Sequence, residues 1–134
     1  MEIRISTENG RVPVMIMQVT GDLDSSTFME FREKAEKLIH DGTRFILVDL
    51  EKCPFVSTAG FGALHHLFNV LRSQYPEANL SDEEMRAGVR AGTYTSPHLK
   101  LLNLSREVHT TFEMIGFDLY IEAFTDKKKA VAAF

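Results

Sequence analysis

The spacing of apolar positions changes period several times along the chain, and each change marks a new element. "EIRIST" and "VPVMIMQVTG" alternate or run apolar on either side of the turn-like "ENGR", which predicts a starting hairpin. From Ser26 onward, Phe28, Phe31, Ala35, Leu38 and Ile39 fall on one face of a helix, and Gly42 supplies its stop. "RFILVDL" then reads as a strand buried on both faces, because Phe45 to Val48 is an unbroken apolar run. A helix starting near Ser57 or Thr58 turns Phe61, Leu64, Leu67, Phe68 and Leu71 inward. "HLKLLNL" repeats the strand pattern, and Ser105 can cap a helix carrying Val108, Phe112 and Ile115 that closes at Gly116. "FDLYIEAF" is predicted as a last strand and "TDKKKAVAAF" as a short terminal helix.

Strands alternating with helices imply an α/β fold: one domain over residues 1–134, with a mostly parallel or mixed sheet of four to five strands flanked by about four helices. The segment from Ser73 to Pro97 breaks this rhythm, and so long a structureless stretch inside a compact domain would be unusual. "LSDEEMRAGVRAG" offers Ser81 as N-cap with Glu84 three residues later, a capping-box pattern, so a short helix near Ser81 to Ala91 is expected there. We read 73–97 as an ordered elaboration set away from the start of the Ser57/Thr58 helix.

Composition narrows the function without choosing it. With 44% hydrophobic and 25% charged residues, the 134-residue chain is of ordinary globular balance and long enough to bury a core unaided. A formal net charge of −4 argues against a nucleic-acid backbone as partner. The single cysteine, Cys53, has no internal partner, the opening "MEIRISTENG" has no signal-peptide core, and no apolar run is long enough to span a bilayer. A cytoplasmic protein that does not itself enter the membrane is expected.

The chemistry concentrates in "CPFVSTAGFGALHHLF", Cys53 to Phe68, where Ser57 and Thr58 precede two glycines in the first turns of a helix. Each glycine costs about 0.5–1 kcal/mol against alanine inside a helix, so the position must need a missing side chain. The dinucleotide fingerprint fails because His65 stands where a third glycine belongs, and a nucleophile elbow fails because Phe55 and Ala59 flank Ser57. His65 and His66 are adjacent and point about 100° apart on a helix, which does not suit a metal pair. No catalytic set, metal or cofactor is therefore indicated, and the simplest local role of a hydroxyl here is to cap the helix.

"VTGDLDSST", "FILVDLEKCPFVSTAGFGAL" and "LKLLNLSREVHTTFEMIGFDLYIEAFTDKKKAV" resemble the three successive blocks of a STAS domain, the anti-sigma factor antagonist family, over nearly the whole chain except 73–97. In that family the middle block commonly reads aspartate, serine, serine or threonine, glycine, an apolar residue and glycine, and a partner kinase phosphorylates the first hydroxyl. Matched on Gly60, Phe61 and Gly62, Thr58 takes the phosphoacceptor position, with Ser57 as second choice. Ser57 stands where the aspartate often is, and Ala59 where the second hydroxyl often is.

The resemblance implies a non-enzymatic regulatory module. It binds an anti-sigma factor or serine/threonine kinase of histidine-kinase-like fold, is switched at Thr58, and leaves a phosphatase and self-association open as further partners. Asp22, Asp24, Ser57, Thr58, Ala59, Gly60, Phe61 and Gly62 would form the partner-binding surface, the glycines leaving it flat. Asp22 and Asp24 have a second reading as turn formers that cap at Ser25 or Ser26. The alternative function is a STAS scaffold without phosphorylation, or a cytoplasmic subunit of a lipid-transport or other membrane assembly.

Overall fold

The structure is a computed structural model and describes residues 1–77 and 80–134; Ala78 and Asn79 of the expected 73–97 elaboration lie outside the described residues. The predicted hairpin forms from β1 (Glu2–Asn9) and β2 (Pro13–Thr20), antiparallel with Ile5 opposite Met17. Helix α1 (Phe28–His40) follows, buries Phe31, Ala35 and Ile39, and hands on through Gly42 at a φ of +106°. It starts two residues later than Ser26. Strand β3 (Ile46–Lys52) is buried at five consecutive positions, as its unbroken apolar run requires.

Helix α2 (Thr58–Gln74) buries Phe61, Leu64, Leu67, Phe68 and Leu71, each contributing roughly 1.5–3 kcal/mol relative to exposure. Helix α3 (Asp82–Ala91) bears out the capping box: Ser81 accepts from the Glu84 N–H, and Glu84 accepts from the Ser81 N–H. Strand β4 (Leu99–Leu102), helix α4 (Arg106–Met114), strand β5 (Glu122–Phe124) and helix α5 (Lys127–Ala132) complete the chain. Ser105 caps α4 and Asp126 caps α5.

The sheet runs β1-β2-β3-β4-β5, and every pair after the hairpin is parallel. Each parallel crossover steps one strand in the same direction, so right-handed connections put their helices on the same face. The core divides accordingly. The larger cluster joins Phe31, Leu64 and Phe112 to Met17, Val48 and Leu101, whereas the other face has Ile16, Leu47 and Leu102 under Ala130 and Val131 of α5.

Two expectations need correction. "FDLYIEAF" is not one strand: Gly116, at a φ of +81°, leads into a 3-10 turn over Phe117–Leu119, held by Ile121 N–H to the Phe117 carbonyl, and only Glu122–Phe124 pairs with β4. Phe117 bends inward to pack edge-on against Phe61, which a flat strand would not allow. Ile115 is not in the α4 core stripe but 47% exposed at the C-cap, where α4 has already ended. The helices number five among the described residues, the four that alternate with the strands and the expected short helix α3 of the 73–97 elaboration.

Candidate functional site

The start of α2 stands at the C-terminal end of β3, reached through Cys53 to Ser57. This connector is held by backbone: the Leu23 N–H donates to the Phe55 carbonyl at 3.0 Å, and the Ser57 N–H donates to the Leu23 carbonyl at 2.9 Å. Leu23 and Val56 thus make a one-residue parallel bridge, which brings the Asp22–Asp24 loop alongside the helix start, as the sequence match implies. Cys53 is fully buried, its thiol donates to the Phe55 carbonyl at 3.4 Å, and burial pushes its pKa up, leaving an inert neutral thiol.

Ser57, and not Thr58, is the cap. Its backbone is extended, and its Oγ accepts from the Gly60 N–H at 3.2 Å. Thr58 is the first residue with helical backbone and its side chain is exposed. The division of labour follows from the fold: the last extended residue carries the hydroxyl that can turn back onto the helix N–H groups, and the next one, already helical, is exposed.

The two glycines serve different ends. A Cβ on Gly60 would lie 2.3 Å from the Leu23 carbonyl oxygen and 2.8 Å from Val56 Cγ1, so Gly60 is required by the chain's own bridge rather than by an approaching molecule. A Cβ on Gly62 would meet nothing within 4 Å, and Gly62 is exposed. The missing side chain that favours outside approach is therefore at Gly62. Gly60 and Phe61 are buried and shape the surface from beneath, while Thr58 and Gly62 form it and Ser57 and Ala59 are half-buried.

In the neighbouring loop Asp22 is exposed. Asp24 accepts from the Ser26 N–H at 2.9 Å and from the Ser26 hydroxyl at 2.7 Å, and these bonds hold its carboxyl below the usual range. The turn-forming reading of Asp24 holds locally, but neither Ser25 nor Ser26 caps α1. Thr27 occupies the N-cap position, accepts from the Asp24 N–H and donates to the Asp22 carbonyl. Sequence reasoning missed Phe55, 48% exposed between this loop and Thr58; an aromatic residue in a connector beside a proline is the signal that could have found it.

The histidines lie further along α2. His65 Nδ1 shares a hydrogen bond with the Tyr120 hydroxyl at 2.9 Å, and burial followed by the neighbouring His66 lowers the His65 pKa. His66 meets Glu36 and Arg32 of α1. Among the described residues, no group of histidine, cysteine, aspartate and glutamate could hold a metal ion, and no helix is long and apolar enough to cross a membrane.

Known structures share this architecture. An anti-sigma-factor antagonist (STAS) domain protein from Planctomyces limnophilus superposes with a TM-score of 0.70 at 13% identity, covering 98% of this chain and 96% of its own. An anti-sigma factor antagonist from Mycobacterium paratuberculosis gives 0.68 at 14% identity, covering 98% and 93%. The Bacillus cell fate determinant SpoIIAA in its phosphorylated form gives 0.62 at 17% identity, covering 97% and 96%. No curated protein matches the sequence. At these identities the likeness is one of fold, a single α/β domain with a five-stranded mixed sheet. The model of the STAS domain matches residues 5–78, more than half of the chain and including the Asp22–Asp24 loop and the start of α2, and the chain belongs to the STAS domain family.

Proposed function

We propose that this protein is a cytoplasmic regulatory module that binds an anti-sigma factor or serine/threonine kinase of histidine-kinase-like fold and is switched off by phosphorylation at Thr58, catalysing nothing itself. The observation that carries this reading is the separation of roles at the α2 start: Ser57 holds the cap, leaving an exposed Thr58 hydroxyl beside the open surface of Gly62. A phosphate there adds about −1.5 to −2 charges at a helix N-terminus, where an anion is favoured, so the fold survives. The partner interface takes the damage, because charge and bulk arrive on the surface that must dock. Asp22, Asp24 and Phe55 border that surface and complete it.

Incubation with ATP and the cognate kinase tests the proposal by mass spectrometry: one phosphate on Thr58 is expected. Recovery on Ser57, or unmodified protein beside a kinase proven active on another substrate, overturns it. The second reading, an unphosphorylated scaffold or membrane-assembly subunit, is supported by Ser57 standing where the family often has aspartate. The same assay separates the two, with retained partner binding and no phosphate as the scaffold's result.

A further inference from the structure

The α2–α3 groove is built with a repetition that its role in folding does not explain. Its lining takes five positions of α2, from His65 to Ser73, and five of α3, from Asp82 to Arg90. Both sets have the spacing i, i+3, i+4, i+7, i+8, so each helix turns one face about 12 Å long toward a cavity of about 720 Å³. Tyr120 closes one side, hydrogen-bonded to His65 at 2.9 Å, and burial raises the Tyr120 pKa to about 12.

Two features distinguish the groove from an ordinary cleft. First, α3 buries none of its residues, and Met85 and Val89 stay half-covered over the buried Phe68. A ten-residue helix is marginal by itself, and this one is fixed by its caps, by the packing of Met85 and Val89 on the core and by the ion pair of Asp82 with Arg72 of α2. Second, the charge is uneven. Arg72 is neutralised by Glu77 and Asp82, whereas Arg86 and Arg90, one turn apart and exposed, lie within 4.0 Å of no carboxylate among the described residues. The chain as a whole carries a formal charge of −4, so the Arg86 and Arg90 pair is a local cationic rim beside the half-covered Met85 and Val89.

We propose that the groove binds a small anionic amphipath, an alkyl or aryl carboxylate whose apolar body lies along the half-covered Met85 and Val89 and whose carboxylate is held by Arg86 and Arg90. The volume lies within the range of small-ligand sites, and a groove of about 12 Å is short for a standard protein interface of about 800 Å² per partner. Guanidinium groups pair with carboxylates in bidentate fashion, and the bound chain covers the exposed parts of Met85 and Val89, which are only half-buried against the core. This site is independent of Thr58.

Calorimetric titration of the full chain with decanoate tests the proposal, with 1-decanol and decyltrimethylammonium as neutral and cationic probes. Saturable one-to-one binding of decanoate below about 1 mM is expected, with decanol weaker by tenfold or more. The double variant Arg86→Glu, Arg90→Glu, folded as judged by circular dichroism, loses decanoate affinity at least tenfold and gains the cationic probe. Thr58→Ala leaves decanoate binding unchanged. Equal affinity for decanol, or decanoate binding that survives the charge reversal, overturns the site. So does displacement of decanoate by a lower concentration of an acidic amphipathic peptide, which assigns the groove to a protein partner. Concentration-dependent dimerisation abolished by the same double variant assigns it to a second copy and also overturns the proposal.

Discussion

The two ends of α2 are held by different materials. At Thr58 the contacts are backbone: the Leu23–Val56 bridge, the Ser57 N–H on the Leu23 carbonyl, and Gly60 lying under that carbonyl. At the other end they are side chains: Arg72 with Glu77 and Asp82, and the Tyr94 hydroxyl donating to Glu77 at 2.6 Å. Backbone contacts admit no added atom but are indifferent to pH. A side-chain network admits small changes of shape but titrates. The first end suits the fixed presentation of one hydroxyl, and the second suits a wall that adjusts to an occupant.

Gly60→Ala should have the largest effect. Its Cβ meets a carbonyl oxygen at 2.3 Å, and the Leu23 bridge must move to admit it, so a loss of about 2–3 kcal/mol is expected in denaturant unfolding. Gly62→Ala, two residues away with open space around its Cβ, should instead stabilise by about 0.5–1 kcal/mol through helix propensity. Similar responses at both positions would remove the distinction between an internally required glycine and an outward-facing one.

Glu77→Gln probes the other end and should cost about 1–2 kcal/mol at pH 7, since it weakens charge-assisted bonds to Arg72 and Tyr94. Burial by itself would raise the Glu77 pKa, but the Tyr94 hydrogen bond and the Arg72 guanidinium outweigh it and hold the carboxyl low. A carboxyl depressed in the folded state stabilises above its unfolded value, near 4.5, and loses that contribution as pH falls through the folded value. The gap in melting temperature between wild type and Glu77→Gln should therefore narrow between pH 7 and pH 3. A constant gap would show that Glu77 acts through its shape alone.

Ser57→Ala removes the cap bond to the Gly60 N–H and should cost about 1 kcal/mol. Ser57→Asp keeps an acceptor there and adds charge at the favourable end of the helix dipole, so its stability should equal or exceed wild type. Equal losses in both variants, measured by thermal unfolding, would mean that the α2 start depends on the serine for something other than its acceptor.

Much of this fold was legible because its elements are locally consistent. The Phe28 to Ile39 stripe, the apolar run of β3 and the Ser81–Glu84 box each carry their signal within a few residues. What was hidden depends on distant partners. Nothing near Gly60 announces that Leu23 will lie over it, so its glycine read as room for another molecule. "FDLYIEAF" looked like a strand until Gly116 turned Phe117 onto Phe61. Asp49 is buried in β3, where Gln18 and Asn103 come from a neighbouring strand and a loop to join the local Glu51 N–H in donating to it. Adjacent Ser57 and Thr58 could not be told apart by type, since both can cap; the backbone bridge at Val56 decides which one is extended and which is helical.

Thr58→Ala is the smallest expected change in stability and the sharpest test of that division. Thr58 is exposed at the first helical position and the cap belongs to its neighbour, so only the intrinsic preference of alanine over threonine for a helix acts, within about 0.5 kcal/mol. The unfolding curve should overlay wild type while Ser57→Ala shifts. Phosphate incorporation by an active kinase should fall to background in Thr58→Ala and persist in Ser57→Asp, whose hydroxyl at 58 is intact. A loss of about 1 kcal/mol in Thr58→Ala would give the threonine a structural part in the helix start. The hydroxyl would then no longer be free for transfer without cost to the fold, and a switch at this position would act by loosening α2 as well as by blocking its surface.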